Sequence, residues 1–252
     1  MPVIGLDLGS AAVKVVFAEK ERILWRGLAS TAPGQAGVAQ NLIEDGLDQL
    51  GLERGLPMKI ISTGYGKKLF ERADRNVDEI TANALGAFRL SEEKARTVIN
   101  IGGQDMKIII LNDRGRVVDF KMNDKCAAGT GRFFEQIARI LDTPISDFDR
   151  LSATSTEEIE INSTCVVFAE SEIISLLAGG VGKENILKAL HVSIARRVAG
   201  LLGRDLPKGA VFLDGGPAQN RSLVAALEDE LMTDVYVLDA PQFTAAYGAT
   251  LA

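Results

Sequence analysis

Two cysteines, Cys126 and Cys165, are the residues of this 252-residue chain best suited to metal chemistry, and each precedes a stretch with the apolar spacing of a helix. The first residues of a helix present unpaired N–H groups and the positive end of the helix dipole, and both favour a thiolate over a thiol. Thiolates bind metal ions, but a four-iron cluster takes four of them. If two copies of the chain meet across a two-fold axis, the cysteine pair occurs twice and the count becomes four. We therefore hypothesise an iron–sulfur cluster between two subunits; the alternatives are two buried structural thiols and a disulfide within the chain.

Three glycine-containing turns each follow an apolar, strand-like stretch, and each carries an aspartate. The turns are Asp7-Leu8-Gly9-Ser10, Gly102-Gly103-Gln104-Asp105 and Asp214-Gly215-Gly216. Glycine allows the backbone to approach a ligand closely, so successive N–H groups can point at phosphate oxygens. Asp7 could hold Mg²⁺ through water, because magnesium prefers hard oxygen ligands, and Ser10 and Lys14 could reach terminal phosphates. One such turn is most often an ordinary β-turn, but three together favour nucleotide binding.

The sequence lacks the two common nucleotide-binding fingerprints. No Gly-x-x-x-x-Gly-Lys-Ser/Thr P-loop occurs in it. The nearest candidates for Gly-x-Gly-x-x-Gly, which begin at Gly64 and Gly129, fail at the last glycine. A Rossmann dinucleotide site is therefore not expected.

The elements that must position these turns occur in two similar series. Strands are predicted at 3–8, 13–18, 23–30, 58–62, 97–101, 106–112, 117–122, 210–213 and 235–238. Helices are predicted at 35–51, 77–90, 131–142, 167–178, 183–203, 221–231 and from 242 onward. A strand–turn–strand unit begins at residue 3 and again at residue 97, so the chain is expected to form an α/β protein of two similar lobes. The first lobe would comprise 1–94, joined by a closing helix at 242–252, and the second 95–241.

The composition limits the classes of function. Hydrophobic residues make up 46% and charged residues 25% of the chain, as in ordinary globular proteins. The net charge of −6 argues against nucleic-acid binding, which needs a basic face. No uncharged apolar run approaches the roughly 18 residues of a membrane span, and the first residues lack the features of a signal peptide. We therefore expect a soluble cytoplasmic protein without a nucleic-acid or membrane partner. His191, the only histidine, has no companion ligand nearby in sequence and is interpreted as a packing residue.

The turns and the cysteine segments resemble the motifs of a known family. Asp7-Leu8-Gly9-Ser10 with Lys14, the stretch 100–107 and Asp214-Gly215-Gly216 are similar to the two phosphate motifs and the adenosine motif of the acetate kinase, sugar kinase, heat-shock chaperone and actin superfamily. Within it, stretches 123–133 and 163–172 resemble the ATP-dependent activators of 2-hydroxyacyl-CoA dehydratases, which are related to the ATPase subunits of benzoyl-CoA reductase. The resemblance runs from about residue 3 to the C-terminus. It implies the two-lobed, ribonuclease H-like α/β fold of that superfamily.

For the cysteines, the resemblance implies a homodimer with one [4Fe-4S] cluster at the subunit interface, ligated by Cys126 and Cys165 of both chains. Such a protein would take electrons from a ferredoxin or flavodoxin. It would pass one electron to an iron–sulfur dehydratase or reductase that acts on an acyl-CoA, and ATP hydrolysis would drive the transfer.

For the nucleotide, the resemblance implies a site for ATP and Mg²⁺ in which Glu135 faces the ribose. The positions that would bind the cofactor are Gly9, Ser10, Ala11, Ala12, Val13, Lys14, Gly102, Gly103, Gln104, Glu135, Gly215, Gly216 and Gln242. Gln104 would orient the attacking water, and Asp7 and Asp105 would place Mg²⁺ or water. Asn100 departs from the family pattern, because members often carry aspartate there.

Two other functions fit the same fold. A small-molecule kinase would consume ATP only with an acceptor present and would not need the cysteines. A nucleotide-switched binding or assembly protein would hold no metal.

Overall fold

The computed structural model describes residues 1–123, 129–161, 166–203 and 207–252. These residues form two compact units. The first comprises Met1–Arg96, Ile109–Asp119 and Leu238–Ala252, and the second comprises Thr97–Ile108 and Phe120–Val237. The lobe boundaries expected from the sequence stay a prediction beside this division.

The predicted strands and helices are confirmed, with bounds that shift by at most two residues. The strands are β1 (Val3–Leu8), β2 (Ala12–Glu19), β3 (Arg22–Ser30), β4 (Ile60–Thr63), β5 (Arg75–Asn76), β6 (Ala95–Ile101), β7 (Met106–Leu111), β8 (Val117–Asn123), β9 (Ala210–Gly215) and β10 (Val235–Val237). The helices are α1 (Gln35–Leu50), α2 (Glu79–Leu90), α3 (Gly131–Ile140), α4 (Phe148–Ser152), α5 (Val166–Ala178), α6 (Lys183–Leu202), α7 (Arg221–Leu231) and α8 (Thr244–Thr250). The sequence did not predict β5 or α4.

The first unit is built on a mixed five-stranded sheet in the order β3-β2-β1-β4-β5. β1 pairs antiparallel with β2 and parallel with β4. β1 and β4 are buried along almost their whole length, because helices cover both faces of the sheet. β3 alternates between exposed and half-buried residues, which is typical of a strand with one solvated face.

Two helices close the faces of this sheet. α1 places Leu42, Ile43 and Leu47 at helical spacing against the core that contains Phe17. On the other face, Tyr247 of α8 packs against β2 and donates a hydrogen bond from its hydroxyl to the Glu21 carbonyl oxygen at 2.6 Å. The C-terminal helix therefore belongs to the first unit.

The second sheet has the order β10-β9-β6-β7-β8, with β9 and β10 parallel. The tips of β7 and β8 lie in the segment 109–119, which belongs to the first unit. The 20-residue α6 packs against α4 and α7. α3 is strongly amphipathic and buries Phe133, Phe134 and Ile137. The Phe134 ring stacks on that of Phe148 with the centroids 5.9 Å apart, so α3 is fixed to the core through its apolar face.

In the described part of the chain, no helix is long and apolar enough to cross a membrane.

Candidate functional site

The turn Asp7-Leu8-Gly9-Ser10, called the first phosphate loop after its predicted role, joins β1 to β2 and carries a buried ion pair at its base. Asp7 and Lys14 are opposite each other in the β1–β2 register, and Lys14 Nζ lies 2.8 Å from Asp7 Oδ2. The side chains are 7% and 18% exposed, respectively. The Gly9 amide donates to the Ala12 carbonyl oxygen at 3.1 Å and closes the turn. Lys14, expected to reach a phosphate, thus also holds the Asp7 carboxylate in place.

The second oxygen of this carboxylate has no donor within the described ranges. Asp7 Oδ1 is buried without a hydrogen-bond partner among the described residues, and so is Thr63 Oγ1 at the end of β4. Gly64 follows with φ 85°, and a Cβ at this position would collide with Asp7 Oδ1. A glycine is therefore required where the chain turns over the carboxylate. Burying an acceptor without a partner costs about 1–3 kcal/mol, so these oxygens suit a bound group that supplies the missing bond.

Hydrogen bonds from the segment after β3 hold the carbonyl groups of the first loop in place. The Gly9 carbonyl oxygen accepts two hydrogen bonds, from Thr31 Oγ1 at 2.8 Å and from Gln35 Nε2 at 3.0 Å. The Thr31 amide also donates to the Ala11 carbonyl oxygen at 2.9 Å. Because protein donors engage these carbonyls, the path of the loop is fixed. No sequence motif pointed to Thr31 or Gln35, since both come from the segment after β3.

The turn Gly102-Gly103-Gln104-Asp105, called the second phosphate loop after its predicted role, lies between β6 and β7 in the second unit and has the same arrangement. The Gly102 amide donates to the Asp105 carbonyl oxygen at 2.9 Å. Lys107 Nζ lies 2.7 Å from Asp105 Oδ1, and the two side chains are 3% and 4% exposed. Asp105 Oδ2 is buried without a hydrogen-bond partner in the described chain. Both loops therefore combine a buried aspartate–lysine pair with one carboxylate oxygen that no donor in the described part of the chain satisfies.

The side-chain amide of Asn100 forms a hydrogen bond with the Asp214 carboxylate. Its Nδ2 donates to Asp214 Oδ1 at 2.8 Å across the buried ends of β6 and β9. A carboxylate at position 100 would face the Asp214 carboxylate, and one of the two would have to keep a proton. The Nδ2 bond fixes the orientation of the side chain, and Asn100 Oδ1 stays buried without a partner among the described residues. An asparagine at this position, where related proteins often carry aspartate, thus still places an acceptor oxygen near the end of β6.

The adenosine motif packs against the second loop within the same unit. Gly215 has φ 95°, and a Cβ there would collide with the carbonyl oxygen of Ile101. Only glycine fits this close approach of β9 to β6. A Cβ at Gly131 would lie 3.3 Å from the Gly102 carbonyl oxygen and 3.9 Å from Pro217 Cγ. The second loop, the start of α3 and the turn at Gly216–Gln219 therefore meet.

The other three residues predicted to contact the nucleotide or its attacking water lie in different parts of the structure. Glu135 lies on α3, where its Oε2 is 2.9 Å from Arg132 Nη1, and its side chain is 38% exposed. Gln104 is exposed at the tip of the second loop. Gln242 belongs to the first unit, in the turn Pro241–Phe243 before α8. The roles expected for these three residues stay predictions.

Both predicted metal ligands lie outside the described residues: Cys126 in 124–128 and Cys165 in 162–165. The helices expected after them are confirmed, because α3 begins at Gly131 and α5 at Val166. Within the described ranges, no group of three or more His, Cys, Asp or Glu side chains is arranged to hold a metal ion.

His191 is buried, as its interpretation as a packing residue requires. It is 1% exposed on α6, and its ring centroid lies 5.8 Å from that of Phe134. Burial lowers the pKa of His191 to about 4, and the negative charge of Asp149 opposes this shift. Neither ring nitrogen has a hydrogen-bond partner in the described chain, so the side chain is a neutral packing group.

Comparison with known proteins agrees with these motifs. The model of the BadF/BadG/BcrA/BcrD ATPase family matches residues 4–252. The activator of lactoyl-CoA dehydratase from Anaerotignum propionicum is 41% identical over 252 residues, which is 100% of this chain and 96% of that protein. The (R)-2-hydroxyglutaryl-CoA dehydratase activating ATPase from Acidaminococcus fermentans is 38% identical over 98% of this chain and 95% of its own length.

Solved structures give the same result. The activator of the 2-hydroxyisocaproyl-CoA dehydratase from Clostridium difficile with bound ADPNP superposes with a TM-score of 0.93, at 40% identity, over 100% of this chain and 93% of that one. A ROK family glucokinase from Streptomyces griseus, 13% identical, covers 99% of this chain and 98% of its own with a TM-score of 0.63. The latter likeness concerns the fold alone, and it confirms the sugar kinase and actin class of α/β fold. The chain belongs to the BadF/BadG/BcrA/BcrD ATPase family.

Proposed function

We propose that this protein is an ATP-hydrolysing one-electron donor that activates a partner iron–sulfur enzyme through a [4Fe-4S] cluster shared by two copies of the chain. The observation that carries the nucleotide part is found in both loops: each has a buried aspartate–lysine pair in which one carboxylate oxygen has no hydrogen-bond partner among the described residues. The full-length similarity to dehydratase activators supports a 2-hydroxyacyl-CoA dehydratase as the partner. A benzoyl-CoA-type reductase is the second choice, because its ATPase subunits resemble this chain.

The loop residues fit ATP with Mg²⁺. When bound, Mg²⁺ would neutralise phosphate charge, and it keeps several waters of its own. Asp7 Oδ1 and Asp105 Oδ2 would accept hydrogen bonds from those waters. Lys14 and Lys107 hold the two carboxylates in position. Gln104, exposed at its turn, would orient the water that attacks the terminal phosphate.

The remaining nucleotide contacts would come from backbone groups and from α3. Glycine-rich turns present N–H groups to phosphate oxygens, which is the role we propose for 9–14 and 102–104. Glu135, held by Arg132, would accept hydrogen bonds from the ribose hydroxyls. Gly215, Gly216 and Gln242 would contact the adenosine.

The cysteine segments fit a cluster with four thiolates. Cys126 and Cys165 precede the starts of α3 and α5, where helix dipoles stabilise thiolates. One chain supplies two ligands, so a two-fold homodimer supplies the four that a [4Fe-4S] cluster takes. When bound, this cluster would carry the electron received from a ferredoxin or flavodoxin.

Anaerobic purification followed by iron and sulfide counting tests this function. We expect about four irons per dimer, ATP hydrolysis without a small-molecule acceptor, and ATP-dependent activation of a 2-hydroxyacyl-CoA dehydratase. Cys126→Ser and Cys165→Ser should each lose the iron and keep nucleotide binding. A colourless wild-type protein contradicts the proposal. It would indicate a kinase if turnover requires an acceptor, and a nucleotide-switched binding protein if it does not.

A further inference from the structure

We infer that Thr130 is a positioning residue that makes helix α3 follow the second phosphate loop. The inference rests on the proposed function, in which this loop binds the phosphates of ATP. It assigns to one hydroxyl group the side-chain part of the link between the loop and the helix that follows Cys126.

The first turn of α3 is capped by the loop. The Gly131 amide donates to the Gly102 carbonyl oxygen at 2.8 Å, and the Arg132 amide donates to the Gly103 carbonyl oxygen at 3.0 Å. These amides belong to the start of the helix, where no earlier helical carbonyl is available. If the loop moves, the helix either follows it or loses both bonds.

Thr130 occupies the N-cap position but does not act as an ordinary cap. Its side chain makes no capping bond to α3 in the described chain. Its Oγ1 instead donates to the Gly103 carbonyl oxygen at 2.9 Å, and Thr130 is 1% exposed. Threonine at an N-cap usually accepts a bond from its own helix. Here the hydroxyl is directed to the loop, so a third bond joins the two segments.

The position of Thr130 in the chain connects this link to the proposed cluster. Only residues 127–129 separate Cys126 from Thr130. Gly129 has φ 96°, and a Cβ there would lie 3.0 Å from Arg197 Cδ and 3.1 Å from Met106 Cε. The chain is therefore confined directly before Thr130. A displacement of the loop by a terminal phosphate would therefore move the start of α3, and Thr130 is only four positions after Cys126 in the sequence.

The first loop provides a matched comparison. Thr31 Oγ1 donates to the Gly9 carbonyl oxygen in the first unit, as Thr130 Oγ1 does to the Gly103 carbonyl oxygen in the second. Thr31 lies in the segment that leads to α1, not to α3. Thr31→Val therefore removes the same kind of bond from a phosphate loop without touching the link to α3.

Hydrogen–deuterium exchange of the anaerobically purified dimer tests the inference. Exchange of the α3 amides is measured with ADP and with a non-hydrolysable ATP analogue. We expect the wild type to show a difference between the two nucleotides in the first turn of α3. Thr130→Val keeps the shape of the side chain and removes the hydroxyl. It should reduce the ratio of the exchange rates in the two nucleotide states by about fivefold, because the loss of one hydrogen bond changes an equilibrium constant by about this factor. Thr130→Ser, which keeps the hydroxyl, should retain the wild-type ratio, and so should Thr31→Val.

The controls separate this inference from the proposed function. Nucleotide binding by Thr130→Val should stay within about fivefold of the wild type. If Thr130→Val is unfolded by circular dichroism, Thr130→Ala takes its place beside Thr130→Ser. The inference is wrong if the variant without the hydroxyl responds like the wild type, if Thr130→Ser loses the response, or if α3 of a nucleotide-bound wild type does not respond. A wild type that binds no nucleotide contradicts the proposed function itself.

Discussion

Part of the acid sensitivity of the second unit should come from His191, and His191→Leu should remove that part. The imidazole is 1% exposed, lies against Phe134 and has no hydrogen-bond partner in the described chain. Burial lowers its pKa from 6.5 to about 4, against the opposing charge of Asp149. The folded state therefore keeps the ring neutral at pH values where the unfolded chain protonates it.

The size of the effect follows from the two pKa values. Above pH 7 both states are neutral at His191, so the residue adds no pH dependence there. Between pH 6.5 and 4 the unfolded state binds more protons, and the free energy of unfolding falls as the pH is lowered. The loss is about 2 kcal/mol at pH 5 and reaches about 3 kcal/mol below pH 4.

Urea unfolding of the wild type and His191→Leu at pH 7.5, 6.5, 5.5 and 5 measures this loss. Carboxylates titrate in both proteins, so the difference between the two unfolding free energies isolates the histidine. This difference should move by about 2 kcal/mol in favour of His191→Leu between pH 7.5 and 5. Since His191 is the only histidine, its imidazole NMR signal gives the native pKa without ambiguity. A signal that titrates near 6.5, or two stability curves that stay parallel, would refute the reasoning.

Two further substitutions test the buried charges of the second phosphate loop. Lys107→Met leaves the Asp105 carboxylate buried without its cation and should lower the free energy of unfolding by about 3–5 kcal/mol, as measured by urea unfolding. A double variant that also carries Asp105→Leu should recover most of this loss. A double variant as unstable as Lys107→Met would contradict the expectation. Asn100→Asp places a carboxylate against Asp214 and raises the pKa of the pair, so stability should be retained at low pH and should fall by up to about 1.4 kcal/mol per unit as the pH rises toward 8. If the difference in unfolding free energy between Asn100→Asp and the wild type is the same at pH 5 and at pH 8, the two carboxylates do not share a proton.

The strands and helices were largely predictable because the buried apolar residues of each element recur at a regular spacing. α7 has the predicted bounds Arg221–Leu231, since Asn220 caps its start and apolar residues recur at helical spacing. β5 has only two residues, both exposed, and α4 has five, so neither is long enough to show a period. Short elements of this kind are set by their tertiary neighbours.

The site was predictable only where a motif is local in sequence. Glycine and aspartate in the turns indicated the phosphate loops, and the pattern around the turns placed them at strand ends. The supports of the first loop were not predictable, because Thr31 and Gln35 reach it from the segment that follows β3. Likewise, the sequence indicated that His191 is a packing residue but not that both ring nitrogens lack a hydrogen-bond partner among the residues that the structure describes. Side-chain contacts between distant segments depend on packing, which the spacing of residues does not specify.

Iron binding by mixed dimers tests most directly whether the cluster is shared between subunits. A wild-type chain and a chain with both Cys126→Ser and Cys165→Ser are coexpressed with different tags, and the mixed dimer is isolated anaerobically by two affinity steps. It contains only two of the four thiolates that the cluster takes. The account predicts almost no iron in the mixed dimer, compared with about four irons in the wild-type dimer. A mixed dimer with half of the wild-type iron would show that each chain holds its own metal, and would contradict the account.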